Sequence, residues 1–173
     1  MKLRGLFSLA LCVALAPMGV MPVQADSPTM VRVELVSDSM GPREMEDLTR
    51  KKIVRDYAAA WRTLAFALEQ NRADVLNEYF TGYAKQDYVQ AIASQKTHGV
   101  RRHYEDRGHR LEGLFYSPDG GVMQLRDTAQ FEVQILDGDR LLYSQPMTVT
   151  YIVLMTPAAD RWMVRLLQEA PSS

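Results

Sequence analysis

The chain has 173 residues, with 20 basic and 21 acidic side chains and a formal net charge of −1. This length is typical of one domain. The near-neutral charge excludes strong bulk attraction to nucleic acid or to an anionic membrane, so we expect no nucleic-acid partner.

Residues 1–25 have the features of a secretory signal peptide. Lys2 and Arg4 precede an apolar run over residues 6–20, and Val23-Gln24-Ala25 places small residues before the expected cleavage point. The run is too short for a typical membrane span, although an uncleaved anchor is the alternative. We expect a periplasmic or secreted protein with no membrane span after cleavage.

Cleavage after Ala25 would leave a mildly acidic chain without a thiol. It removes Lys2, Arg4 and Cys12, the single cysteine. Disulfides, thiolate metal sites and cysteine nucleophiles are then excluded, so a hydrophobic core must hold the mature domain together.

Residues 26–41 form a leader of mixed character. Val31, Val33 and Leu35 alternate with polar residues, as in a strand. The leader is either a flexible tail or a strap that packs on the domain. At the other end, residues 170–173 are predicted to be a short tail.

A long helix is predicted over residues 42–70, with Pro42 in its first turn and Asn71 as its terminator. One apolar stripe follows helical spacing along it. The stripe consists of Ile53, Tyr57, Ala60, Trp61, Leu64 and Leu68. The large indole of Trp61 requires a broad partner, which we expect to be a sheet.

A second apolar group lies on the opposite face of this helix. Phe66 projects among Arg55 and Arg62, with Leu48 in the same angular sector. These four residues are our candidate interaction surface. The alternative is that the leader or a later loop covers Phe66 within one chain.

Two shorter helices are predicted next, over residues 74–80 and 83–95. Residues 96–110 are the most polar part of the chain and are predicted to be a solvated loop that leads into a strand. All three histidines, His98, His103 and His109, lie in this segment. Their spacing matches no zinc motif, so we expect no metal site and no cofactor.

Four strands are predicted over residues 111–116, 122–136, 141–156 and 161–169, joined by short turns as an antiparallel meander. Pro146 indicates a bulge or an edge early in the third strand, and the last strand should turn Trp162, Val164 and Leu166 inward. The predicted fold is α+β: a domain over residues 42–169 in which a long helix and two shorter ones pack on a curved four-stranded antiparallel sheet.

Asp127 is the single acid on the apolar face of the second predicted strand, over residues 122–136. Burial there would raise the pKa of the carboxyl group, as in a general base. The pocket-lining candidates are Tyr57, Trp61, Tyr88, Asp127, Phe131 and Tyr151. Two structural interpretations compete: a bulge turns Asp127 outward, or it pairs with Arg110 or Arg165. No histidine is positioned by the pattern to partner it.

The element order resembles the nuclear transport factor 2-like (NTF2-like) superfamily of α+β cones. The resemblance rests on a tryptophan in the first helix, four strands after the helices, and the closing run Asp160-Arg161-Trp162-Met163-Val164-Arg165. It implies either of two functional types, because the superfamily contains isomerases and dehydratases as well as binding domains. Its enzymes place an acid or a His–Asp pair inside the cone.

Two functional hypotheses follow. The first is an exported non-catalytic domain that binds a small apolar ligand, a protein partner or a second copy of itself. The second is a small cofactor-free enzyme of isomerase or dehydratase type that uses Asp127 as acid or base. An enzyme requires a hollow cone that reaches Asp127.

Overall fold

The computed structural model describes residues 31–37 and 40–171, so the predicted signal peptide lies outside the described residues. The predicted α+β class is confirmed: helices pack on one curved sheet. The sheet has six strands rather than four, because two short strands from the leader region add to the predicted meander.

The long helix α1 spans Asp47–Glu69. It begins later than predicted because Gly41–Pro42 forms a short strand, β2, which pairs with Phe115 and Tyr116. Asn71 follows the helix with a positive φ of 52°, as expected of a terminator.

The two shorter helices are present with altered bounds. A 3₁₀ helix spans Asp74–Glu78 where a helix to Phe80 was predicted, and the second α-helix, α2, spans Gly82–His98. Gly99 ends α2 with φ 67°, a left-handed conformation that glycine adopts without steric cost.

The leader forms the strap rather than a tail in its described part. Its strand β1 spans Val33–Val36 and pairs in parallel with residues 109–112. The main strands are β3 (Arg101–Tyr116), β4 (Met123–Asp137), β5 (Arg140–Pro157) and β6 (Trp162–Glu169). The spatial order is β1-β3-β4-β5-β6, with antiparallel pairing from β3 to β6.

The prediction of a polar loop over residues 96–110 was wrong at both ends, because α2 continues to His98 and β3 already begins at Arg101. Strand β3 begins at Arg101, ten residues before the predicted start at Leu111. Its first residues are polar and partly exposed, so they carry no clean alternation of apolar and polar side chains. Pairing with β4, a long-range interaction, makes them a strand.

The core lies between α1 and the concave face of the sheet. Trp61 and Trp162 are only 4% and 6% exposed. In β6 the buried residues are Trp162, Val164 and Leu167, whereas the sequence predicted Leu166. The β5–β6 register shifts between Leu154 and Met155, so one extra residue of β6 follows Val164. The residues after it therefore lie on the opposite face from the one that regular alternation predicts.

A buried carboxylate also joins α1 to β6. Asp56 is 1% exposed and accepts the main-chain N–H of Trp162 at 2.8 Å and the Nε–H of Arg55 at 2.7 Å. The bond to Trp162 fixes the helix over the end of the sheet. Separately, none of the helices in the described part of the chain combines the length and apolar character needed to cross a membrane.

Replacing either Trp61 or Trp162 with alanine should lower the free energy of unfolding by about 3–5 kcal/mol, because each change leaves a large core cavity. Denaturant unfolding measures the loss. Tyr83→Ala is the control, since Tyr83 is 67% exposed; it should stay within about 0.5 kcal/mol of wild type. A loss below about 1 kcal/mol in a tryptophan variant would contradict the helix-on-sheet packing.

Candidate functional site

Asp127 lies on the inner face of β4 and is fully buried, as its alternation pattern predicted. Its Oδ2 atom accepts the hydroxyl of Tyr57, from α1, at 2.7 Å. The same oxygen accepts Nδ1–H of His109, from β3, at 2.8 Å. Both competing interpretations were wrong, because Asp127 neither turns outward nor pairs with Arg110 or Arg165.

His109 is held between two carboxylates. Its second ring nitrogen, Nε2, lies 2.7 Å from Oδ2 of Asp106. A carboxylate only accepts hydrogen bonds, so both ring nitrogens donate when the imidazole carries its positive charge. The four side chains form one continuous chain of hydrogen bonds, which we call the Tyr57–Asp127–His109–Asp106 relay.

Sequence reasoning missed His109 and Asp106 because of one irregularity in β3. Residues three apart point to opposite faces of a regular strand. The β3–β4 register shifts between Asp106 and Gly108, where Gly108 has φ 139°. The extra residue turns both Asp106 and His109 toward the cone. The available signal was Gly108, a glycine within a strand, which often marks a bulge.

The charges in the relay stabilise one another. Burial by itself lowers the pKa of His109, but hydrogen bonds and charge from Asp106 and Asp127 outweigh it and raise the pKa to about 9. Burial raises the pKa of Tyr57 well above its usual range, and the charge of Asp127 adds to this shift. At neutral pH, His109 is therefore a cation and Tyr57 is a neutral hydrogen-bond donor.

Aromatic side chains fill the cone around the relay. Trp61 contacts the ring of His109 with centroids 4.4 Å apart, an arrangement in which an indole attracts a cation. Phe131 and Tyr151 lie 5.9 and 5.8 Å from Trp61. Three of the pocket-lining candidates, Trp61, Phe131 and Tyr151, thus pack together, whereas Tyr88 packs against Phe80 at 5.9 Å.

Five cavities on the described part of the chain lie outside this packed interior. They have volumes of about 220 to 720 Å³, and neither Tyr57 nor Asp127 lines any of the five. His109 borders one cavity, on the outer face of the sheet, through its main chain, since its side chain is fully buried. Asp106, with its side chain 11% exposed, is the relay residue that touches the cavity beside α1.

The side chain of Phe66 lies between two surface cavities. It is 46% exposed, and together with Arg62 it lines cavities of about 220 and 230 Å³ on either side. Val31 of the leader borders the first of them. The structure therefore groups Phe66 with Arg62. Arg55 instead bonds Asp56 and the carbonyl of Asp160, and Leu48 lines neither cavity.

The three histidines have three separate environments. His98 bonds the carbonyl of Ser94 within α2, and His103 lies 3.2 Å from Glu69. His109 is buried in the relay. Among the described residues, no group of three or more His, Cys, Asp or Glu side chains is arranged to hold a metal ion.

Several solved structures share the fold of this chain. No protein-family model and no curated protein sequence matches the chain. Among solved structures, the chain is similar to the intermembrane space region of the chloroplast protein ARC6, with TM-score 0.62 and 17% identity over 76% of this chain and 100% of that one. It is also similar to a periplasmic fragment of TraM, with TM-score 0.50 and 14% identity over 68% and 97% of the two chains.

A third similar structure, from Streptomyces avermitilis, is described as a dehydratase of the NTF2-like family. Its TM-score is 0.46, with 11% identity over 71% of this chain and 99% of that one. At these identities the solved structures show a shared fold alone. A fold of this kind does not by itself assign a function.

The raised pKa of His109 makes stability depend on pH in a defined window. The ordinary pKa of histidine is 6.5, and the pKa of His109 in the folded protein is about 9. Below pH 6.5 both states are protonated and the full stabilisation is present; between the two values the folded state binds more protons, so stability falls as the pH rises. The wild-type protein should lose about 3 kcal/mol across this window, measured by urea unfolding.

His109→Gln should remove most of that pH dependence, since glutamine does not titrate. The matched control is His98→Gln, at an exposed histidine near the end of α2. It should follow the wild-type curve. Parallel curves for wild type and His109→Gln would show that His109 does not carry the charge assigned to it.

Proposed function

We propose that this protein is an exported, non-catalytic interaction domain built on an NTF2-like cone. Export rests on the signal-like character of residues 1–25. The non-catalytic assignment rests on one observation, the burial of the two inner members of the relay. The side chains of His109 and Asp127 are both fully buried, behind the aromatic packing of Trp61.

A general base must come within hydrogen-bond reach of the proton that it removes. Asp127 meets Tyr57 and His109, and none of the five surface cavities reaches it. The hydrogen bonds of the relay therefore connect elements of the fold to one another and do not contact a substrate. In this role it ties α1, which carries Tyr57, to β3 and β4.

The alternative, a cofactor-free isomerase or dehydratase, would have to act through Asp106. The cavity that touches Asp106 has a volume of about 220 Å³. Small-molecule sites are usually about 300–1,000 Å³ and enclose most of the ligand. This cavity is smaller and opens beside Phe66, so it favours a shallow contact with a protein side chain.

Phe66 and Arg62 are the centre of the proposed recognition surface. An aromatic anchor beside an arginine is the residue combination that carries much of the energy in protein interfaces. The two flanking cavities give a partner's apolar side chains a place on both sides of the ring. Glu69 and Glu78 at their margins add polar contacts of the kind found at interface rims.

A quenching experiment separates a sealed cone from one that opens. In a Trp162→Phe variant, Trp61 is the remaining tryptophan of the chain. Acrylamide, a small neutral solute, should quench its fluorescence very little if the interior stays packed. Efficient quenching in the folded state would mean that small molecules enter the cone, and would favour the enzyme alternative.

The recognition surface is tested by placing a photo-crosslinking benzoylphenylalanine at position 66 in the producing cell. A discrete crosslink to one envelope protein is expected, because the ring is the proposed anchor. The same probe at Tyr83, another exposed aromatic residue, is the control and should not give this product. A crosslink confined to the chain itself would mean that the leader covers Phe66, and would contradict the proposal.

A further inference from the structure

The first half of β5 has an open edge. Strand β4 pairs with β5 along its whole length, but β6 pairs only with residues 151–157. The last bond on that side is donated by the N–H of Ala170 to the carbonyl of Thr150, at 2.8 Å. In the described part of the chain, no strand continues along residues 140–149, which are also exposed on almost all their side chains.

This edge lacks the charged side chains that commonly protect an open strand edge, and Pro146 is its one protective residue. Exposed edges commonly carry lysines or other charges that disfavour the addition of another strand. Residues 141–150 contain no charged side chain. Instead, large apolar side chains are exposed: Leu141, Leu142, Tyr143 and Met147.

The hydrogen bond from Ala170 to the carbonyl of Thr150 shows which main-chain groups of β5 face the open edge. Successive residues of a strand direct their N–H and C=O groups to opposite sides. The β4–β5 register is unbroken from Tyr143 to Leu154, so Thr148, Pro146 and Ser144 face the same side as Thr150. Pro146 therefore lacks its N–H on the open side, where its absence breaks no bond to β4.

A groove continues from the end of β6 along this edge. It has a volume of about 720 Å³. It is lined by residues 147–150 and Ile152 of β5, by Arg126 of β4, and by Glu169, Ala170 and Pro171 at the end of β6. An added strand would run in line with β6, antiparallel to β5, and its first residues would enter this groove.

We propose that the occupant is a second copy of this chain, joined edge to edge through antiparallel pairing of the two β5 strands about a two-fold axis at Gln145. Tyr143 of each copy then lies opposite Met147 of the other. Ser144 lies opposite Pro146, and its N–H donates to the proline carbonyl. In this register the missing proline N–H leaves just one carbonyl, that of Ser144, without its ladder partner in each copy.

Two features favour a second copy over an unrelated strand. The uncharged segment complements itself, since it brings no like charges together and pairs an aromatic ring with a thioether on the same face. The register also places Leu142 of one copy in the groove of the other. The pairing ends there, because Ala170 already occupies the edge at Thr150, and the two-fold axis repeats the Leu142 contact.

The experiment uses a charge swap at the axis. Sedimentation velocity of the purified wild-type protein should show a dimer. Gln145→Lys and Gln145→Glu should each weaken it by about tenfold, because like charges meet at the axis. An equimolar mixture of the two variants should recover dimerisation, since opposite charges then meet. Gln86→Lys, at an exposed position on α2, is the charge-matched control and should dimerise as the wild type does.

Three outcomes would overturn the proposal: a wild-type monomer at every concentration up to the solubility limit, a dimer that neither charge variant weakens, or variants that stay monomeric when mixed. Circular dichroism of each variant checks that it is folded. Phe66→Ser should leave the dimer intact, so the β5 edge and the Phe66 surface fail or succeed independently.

Discussion

The contact of His109 with two carboxylates holds the concave side of this molecule together. Asp106 and His109 come from β3, Asp127 from β4, and Tyr57 from α1, so the relay spans both layers of the fold. Charges buried in this way are stable only when each has a close partner of opposite sign. Removing His109 would leave the buried carboxylate of Asp127 without its cation beneath the long helix.

This requirement explains why the cone is filled rather than hollow. Trp61 lies against the His109 ring, and the neighbouring aromatic rings exclude solvent that would weaken the ion pairs. The acidic and imidazole groups inside the cone bond to one another. A polar cluster inside such a fold therefore does not by itself indicate catalysis, because a catalytic group must also be accessible to a substrate.

The helices cover the sheet unevenly, and this leaves the molecule with two different surfaces. Helix α1 contacts β3 and β6, and α2 packs mainly against β6. The far half of β5 extends beyond them and is exposed. One surface is thus a helix ridge centred on Phe66, and the other is a bare strand edge. The proposed self-association at β5 uses none of the residues of the proposed recognition surface at Phe66.

The sequence by itself determined the class of fold and the placement of single residues whose neighbours follow a regular period. Strict alternation along β4 identified Asp127 as inward, and helical spacing in α1 identified Trp61 as a core residue. Only the tertiary structure decided what Asp127 contacts. The bulge at Gly108 reverses the face of His109, and the shift in β6 replaces Leu166 with Leu167. Local patterns cannot show these changes, because a register shift is fixed by pairing with a strand that is distant in sequence.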